Sequence, residues 1–303
     1  MIKPSEVAPL STLQLASLVA EAGFPDGVVN IVTGGPGAGA ALTSDPRVGR
    51  ISFTGSVPTG RAIARAAAET LVPLTLELGG KGANIVFADA AVDQAVEGIV
   101  NGVFFNQGQV CCAGSRLIVQ ESIADEFVER LKKRVETLRV GDPLDKNTDV
   151  GAVNSQMQFD KITQLSEVGA DEGATAWTSS CPLPEKGWFV APTIFTDATA
   201  SMRIAREEIF GPVLTTLTFR TPEEALAKAN NTPFGLSAGV WTEKGSRAMG
   251  MAAGLRAGVI WDNTFNRFDP TAAFGGYGES GFGREGGPSG LAAYLDTDDE
   301  GAR

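Results

Sequence analysis

The chain contains no histidine, which removes the commonest general base and the commonest metal ligand from its 303 residues. Acid–base chemistry must therefore run through carboxylate, lysine, tyrosine, thiol or water. Cysteine is nearly absent too. Cys111, Cys112 and Cys181 form an odd set with no C-x-x-C pair, which fits a reducing, cytoplasmic setting better than a disulfide framework. Without histidine or a second cysteine pair no structural zinc site is expected, and no metal is assigned. Positive charge is scarce: net charge is −11 and no basic run exceeds Lys132-Lys133-Arg134, so a nucleic-acid partner is not expected. Long apolar runs are missing, which argues against a membrane partner. The opening MIKPSEVAPL lacks the charged-then-apolar layout of a signal peptide.

What remains is a chain 43% hydrophobic and 20% charged, long enough for one large domain or two. Leu10 to Ala22 reads as a helix stopped by Gly23 and Pro25. Val28 to Val32 reads as a strand, followed by the glycine-rich TGGPGAG and a helix around Ala40. Strands follow at Arg50–Phe53 and Leu74–Leu78, with a helix from Gly60 to Glu69 between them. Asn84–Phe87 is a further strand, and Asp89 or Asp93 is the expected cap of the next helix, whose stripe is Val92, Val96, Ile99, Val100, Val103 and Phe104. That helix runs into the Cys111 segment, and Arg116–Gln120 is again a strand. Ile123, Phe127, Leu131, Val135 and Leu138 mark another helix. Gly169–Gly187 reads as polar surface, Val213–Phe219 as a strand, and Pro222–Asn230 as a helix opened by Thr221. The end, Leu295–Arg303, reads as a frayed acidic tail. Alternating strands and helices with short turns predict a doubly wound α/β sheet.

Four segments invite a chemical reading. FTGSVPTGR, Phe53–Arg61, lies between strand and helix, where free N–H groups favour an anion. It departs from both the Walker A and G-x-G-x-x-G patterns, so a plain strand-to-helix turn stays open. In LELGGK, Glu77 sits in an apolar strand and is either structurally paired or a raised-pKa base, with Lys81 its partner or a surface residue. In FFNQGQVCCAGSR, Cys111 occupies a polar, glycine-bearing connection, where it is either a packed thiol or an accessible nucleophile. EEIFGPVL reads on its own as a turn before a strand.

In this order and spacing, KPSE (Lys3–Glu6), GFPDGVVNIV, FTGS, LELGGK, FFNQGQVCCAGSR, EEIFGPV and FGGYGESGFGRE (Phe274–Glu285) resemble the NAD(P)-dependent aldehyde dehydrogenase superfamily. The resemblance implies a partial Rossmann-like cofactor domain over residues 1–79, an α/β catalytic domain over 80–290, and a flexible acidic tail over 291–303. It further implies oxidation of a small-molecule aldehyde to a carboxylic acid. Cys111 would attack the aldehyde as thiolate, and Glu77 would activate the water that hydrolyses the thioester. Lys3 and Glu6 match positions that hold the adenosine ribose, Gly55 and Ser56 the pyrophosphate turn, and Glu208 and Phe210 the nicotinamide end. Glu6 beside the 2′-hydroxyl favours NAD over NADP.

The chain also departs from the family pattern. KPSE normally lies well inside the cofactor domain, so a truncated member lacking an N-terminal segment is expected. The last residues replace an apolar strand used in assembly, which leaves a homo-oligomer open. Gly278, Ala273 and Asp262 stand where a lysine, a proline and a hydrophobic residue are usual. The alternative reading is a non-catalytic remnant or interaction subunit. Glu77 argues against a third, a coenzyme A-acylating enzyme, which does not need the base.

Overall fold

In the computed structural model, which describes residues 1–295, the alternating pattern resolves into two units: residues 1–53 with 58–74, and residues 54–57 with 75 onward. The first unit holds α1 (Leu10–Glu21), α2 (Pro36–Thr43), most of β1 (Ile51–Thr54) and nearly all of α3 (Val57–Thr70). The expected strand at Val28–Val32 is not formed. One parallel bridge, Ile2 to Ile31, is its only ladder, because the turn at Pro25–Val28 leaves too few residues to extend it. TGGPGAG is a loop only as far as Gly35, since Pro36 opens α2 at the position proline favours. No residue of α1 is buried.

The second unit begins with most of β2 (Leu74–Glu77), then β3 (Ala83–Val86), α4 (Val92–Phe104), β4 (Arg116–Gln120) and α5 (Ala124–Val135). It continues through α6 (Gln156–Asp171), β5 (Thr175–Thr178), β6 (Thr193–Thr196), α7 (Arg203–Arg206), β7 (Val213–Phe219) and α8 (Pro222–Asn230). It closes with β8 (Phe234–Gly235), β9 (Ser237–Trp241), α9 (Gly245–Gly254), β10 (Val259–Asp262), β11 (Tyr277–Gly278), β12 (Gly281–Phe282) and α10 (Gly287–Ala292). Its seven-stranded sheet runs β10-β9-β3-β4-β7-β6-β5, parallel throughout except for the antiparallel edge strand β5. Gly169–Gly187, read as polar surface, also holds that edge strand: Thr175–Thr178 is largely exposed and pairs with Thr193–Thr196, and its threonines and tryptophan suit an exposed pleat.

Alternation along the strands sends side chains to two faces. Leu117 and Val119 point with α4 and α5 into one core, while Ile118 joins Phe87, Leu217, Ala229 and Met251 under α8 and α9. Leu117, Ile118 and Val119 are fully buried, each contributing about 1.5–3 kcal/mol of hydrophobic stabilisation. The expected α5 stripe of Phe127, Leu131 and Val135 is buried as its period requires. Asp89 and Asp93 do not cap α4, whose N-cap is Ala91. Asp89 instead accepts from Thr242 and Arg247 (2.8 and 2.7 Å), where a cation competes for it. Thr221 does cap α8, accepting from the Glu224 N–H. The tail expected beyond Leu295 lies outside the described residues.

Two features place the site. Ala83 pairs with Arg116, so β3 and β4 start level, and the segments entering them are LELGGK and the Cys111 loop. Glu208 and Phe210 likewise precede β7. The functional segments therefore gather where strands begin.

Candidate active site

Glu77 ends β2, where it pairs with Gly281 of β12, and its carbonyl accepts the Gly55 N–H at 3.0 Å. The backbone of the expected base and that of the expected phosphate turn are thus joined directly. The Glu77 side chain is 3% exposed, and neither carboxylate oxygen has a hydrogen-bond partner among the described residues. Burial pushes its pKa up to about 8, with further lifts from the charges of Glu285 and Cys111 and a partial offset from Arg284. An unpaired carboxylate in this environment favours its protonated form, the condition of a base poised near neutrality.

Cys111 is half-buried, at the end of a turn containing three successive left-handed residues: Asn106 (φ 51°), Gln107 (φ 58°) and Gly108 (φ 70°). Its neighbour Cys112 is buried, with its thiol within donating range of Asn266 Oδ1 (3.6 Å). Donation from Cys112 lowers the Cys111 thiol, and the same bond together with burial raises that of Cys112. The two adjacent thiols are therefore driven in opposite directions, Cys111 down and Cys112 up. Behind them the loop is tied to the sheet. Ser237 donates to the Cys112 carbonyl at 2.8 Å, and Asn84 donates to the Gly114 carbonyl at 3.2 Å while accepting from the Trp241 indole.

The two glycines of LELGGK are explained by close approach. A Cβ on Gly80 would strike the Cys111 carbonyl, and one on Gly79 would strike the Glu208 carboxylate. Glu208 also accepts the Gly80 N–H at 2.9 Å. Burial raises its pKa, against the lowering effects of that bond, Lys161 and Lys81. Glu77, Glu208 and the Cys111 main chain thus converge on one tetrapeptide, Glu77–Gly80. Phe210 follows in a left-handed conformation (φ 58°), with both its carbonyl and that of Ile209 accepting from the Gln158 amide (3.0 and 2.9 Å). Gln158 was not read from the sequence. The signal was the Ser155-x-x-Gln158 capping pattern: Ser155 does accept the Gln158 N–H, but the glutamine side chain serves the Phe210 segment instead of its own helix.

Lys81 corrects the surface reading. It is 2% exposed, its Nζ has no hydrogen-bond partner among the described residues, and burial pulls its pKa down to about 7. The charge opposing that fall comes first from Glu208, not Glu77. Beside it Arg116 is also buried, and its guanidinium donates to the carbonyls of Lys81, Lys228 and Ala229 at 2.8–3.0 Å. The last two lie at the C-terminus of α8, where a cation is favoured.

Gly55 and Ser56 are exposed in the turn leading to α3. In the first unit, Lys3 pairs with Glu6 at 3.6 Å and donates to the Pro4 carbonyl, with its stem against Gly39. Among the described residues no cluster of three or more cysteines or acids has the arrangement of a metal site. No helix among them is long and apolar enough to cross a membrane.

The comparisons bear on the family and the fold. The model of the aldehyde dehydrogenase family matches residues 1–299. An aldehyde dehydrogenase of Enchytraeus buchholzi is 48% identical over 299 residues, covering 98% of this chain and 60% of its own. Among solved structures, an NAD-dependent aldehyde dehydrogenase from Sinorhizobium meliloti superposes with a TM-score of 0.93 at 45% identity, over 96% of this chain and 58% of that one. A betaine aldehyde dehydrogenase from Staphylococcus aureus in complex with NAD+ gives a TM-score of 0.92 at 40% identity, over 97% and 59%. The chain thus spans about 60% of the length of the curated relatives it matches. With a family-wide match, the parallel sheet and a cysteine, a buried glutamate and a second carboxylate gathered at one turn, the chain belongs to the aldehyde dehydrogenase family.

Proposed function

We propose that Cys111 and Glu77 oxidise an aldehyde to its carboxylic acid with NAD as electron acceptor. The observation that carries this reading is the buried, unpartnered Glu77 carboxylate, whose pKa responds to the charge of Cys111. The Cys111 thiolate adds to the carbonyl carbon. A C–S bond forms, the C=O π pair moves to oxygen, and main-chain N–H groups of the loop are the donors available to that oxygen. NAD, when bound, would supply the two-electron oxidant, a hydride acceptor, for the step from aldehyde to acyl level. Glu77, ionised, then takes a proton from water as its oxygen attacks the acyl carbon, and the C–S bond breaks to return the thiolate.

The residues present fit the cofactor. In the second unit, Gly79 leaves the space that the Glu208 carboxylate occupies, and Glu208 and Phe210 would hold the nicotinamide ribose and ring. Gly55 and Ser56 would face the pyrophosphate, and in the first unit Lys3 and Glu6 would hold the adenosine ribose. A carboxylate at Glu6 disfavours a 2′-phosphate and so selects NAD. The NAD+ complex of the Staphylococcus aureus relative supports NAD as the cofactor.

A second reading, an interaction subunit without turnover, is favoured by the first unit. There α1 buries nothing, and Leu10 (78%), Phe24 (53%) and Val28 (59%) lie exposed. NADH formation by the purified chain with NAD and a panel of simple aldehydes, beside Cys111→Ala, separates the two. Turnover lost in the variant supports the enzyme, and a folded chain with no turnover supports the subunit.

A further inference from the structure

The Cys111 loop holds a conformation that its residues do not prefer. Asn106 and Gln107 are left-handed without being glycine, and such backbone persists only where its surroundings over-determine it. The partners that hold it come from residues 151–158. The Gly151 N–H donates to Gln107 Oε1 at 3.1 Å. Asn154 closes a two-bond ring on the Gln109 amide: Gln109 Nε2 donates to Asn154 Oδ1 at 3.0 Å, and the Asn154 N–H donates to Gln109 Oε1 at 3.2 Å. The Gln109 main-chain carbonyl is held as well, accepting from Asn106 Nδ2 at 3.0 Å. From the same segment, Gln158 grips the carbonyls of Ile209 and Phe210. Gly108 lies against Gly211 so closely that a Cβ there would strike its carbonyl.

We propose that Asn154 is a positioning residue for the Cys111 nucleophile, acting through the side-chain amide of Gln109, within a brace (residues 151–158) that holds the Cys111 and Phe210 segments in register. This rests on the reading of Cys111 as the nucleophile. Asn154 is exposed and touches neither reacting sulfur nor base, so packing does not require an asparagine there. What it supplies is an acceptor and a main-chain donor matched to the two ends of one amide. Between the left-handed turn and Cys111, Gln109 is hydrogen-bonded through both its main chain and its side chain.

The test is the pH profile of iodoacetamide alkylation at Cys111, read at peptide level by mass spectrometry on the full chain, with Cys181 as internal reference. Asn154→Ala is expected to shift the Cys111 profile upward and slow alkylation at pH 7 by about threefold or more, the effect of a half-unit rise in thiol pKa. Cys181 stays unchanged. Asn154→Asp, which keeps the acceptor for Gln109, returns the rate to within about twofold of wild type. Asn154→Ala added to Gln109→Ala slows it no further than Gln109→Ala alone. An Asn154→Ala profile that overlays wild type, or effects of the two alanine variants that simply add, overturns the brace. Cys111 reacting no faster than Cys181 in the wild type removes the nucleophile reading and this proposal with it.

Discussion

The most exacting test of the buried base needs no substrate. Glu77 has a folded-state pKa of about 8 against an ordinary value of 4.5. Between those values the folded chain keeps a proton that the unfolded chain has released. Stability therefore falls as pH rises through that window and levels off above it. Glu77→Gln carries no charge and escapes this dependence, while its amide fills the same space. At about 1.4 kcal/mol per pKa unit, the ionised carboxylate costs the wild type about 4–5 kcal/mol once pH exceeds 8. Thermal unfolding of both proteins across pH 5 to 9 should show melting temperatures close together at the acid end. The variant should lead by about 8 °C at the alkaline end, taking about 2 °C per kcal/mol. A gap that does not change with pH, or a wild type that gains on the variant as pH rises, would mean that Glu77 is ionised and paired, and the base assignment would fall.

Two further expectations concern the nucleophile. Because donation from Cys112 is the largest influence lowering the Cys111 thiol, Cys112→Ala should move the Cys111 alkylation profile to higher pH, and an unmoved profile would exclude Cys112 as the donor. Gly80→Ala should drive a methyl group into the Cys111 carbonyl and reduce aldehyde turnover by about a hundredfold with the circular dichroism spectrum unchanged; activity within about threefold of wild type would show that the loop yields.

The parts of this architecture that were legible in the sequence have strong periodicity or a resemblance behind them. The α4 and α5 stripes, the central strands and the Thr221 cap follow from local pattern. Cys111 and Glu77 were ambiguous as residue types, and their convergence depends on contacts spanning 31 or more positions, such as Gly80 against Cys111, which no local window contains. Lys81 was open between a partner of Glu77 and a surface residue, because its burial is decided by the sheet packed around it. Val28–Val32 has strand composition, but composition does not supply a neighbour, and only Ile2 and Ile31 meet. Asn154 and Gln158 carry no motif for the task they perform. Their partners lie 45 and about 50 residues away, in segments whose left-handed backbone is itself invisible in the sequence.

The functional segments meet where the parallel strands begin, whereas open α/β sheets commonly place ligands beyond the strand ends. The reversal has an electrical consequence. The connecting helices run back against the strands, so α4 ends at Phe104 and aims its carbonyl terminus toward the edge where Cys111 and Glu77 sit. A helix C-terminus carries partial negative charge. Such a field works against a thiolate and against an ionised carboxylate alike. It agrees in sign with the protonated state favoured at Glu77, and it leaves the lowering of Cys111 to donors within hydrogen-bonding reach. Anion stabilisation in this fold is therefore a short-range matter of individual N–H and S–H groups.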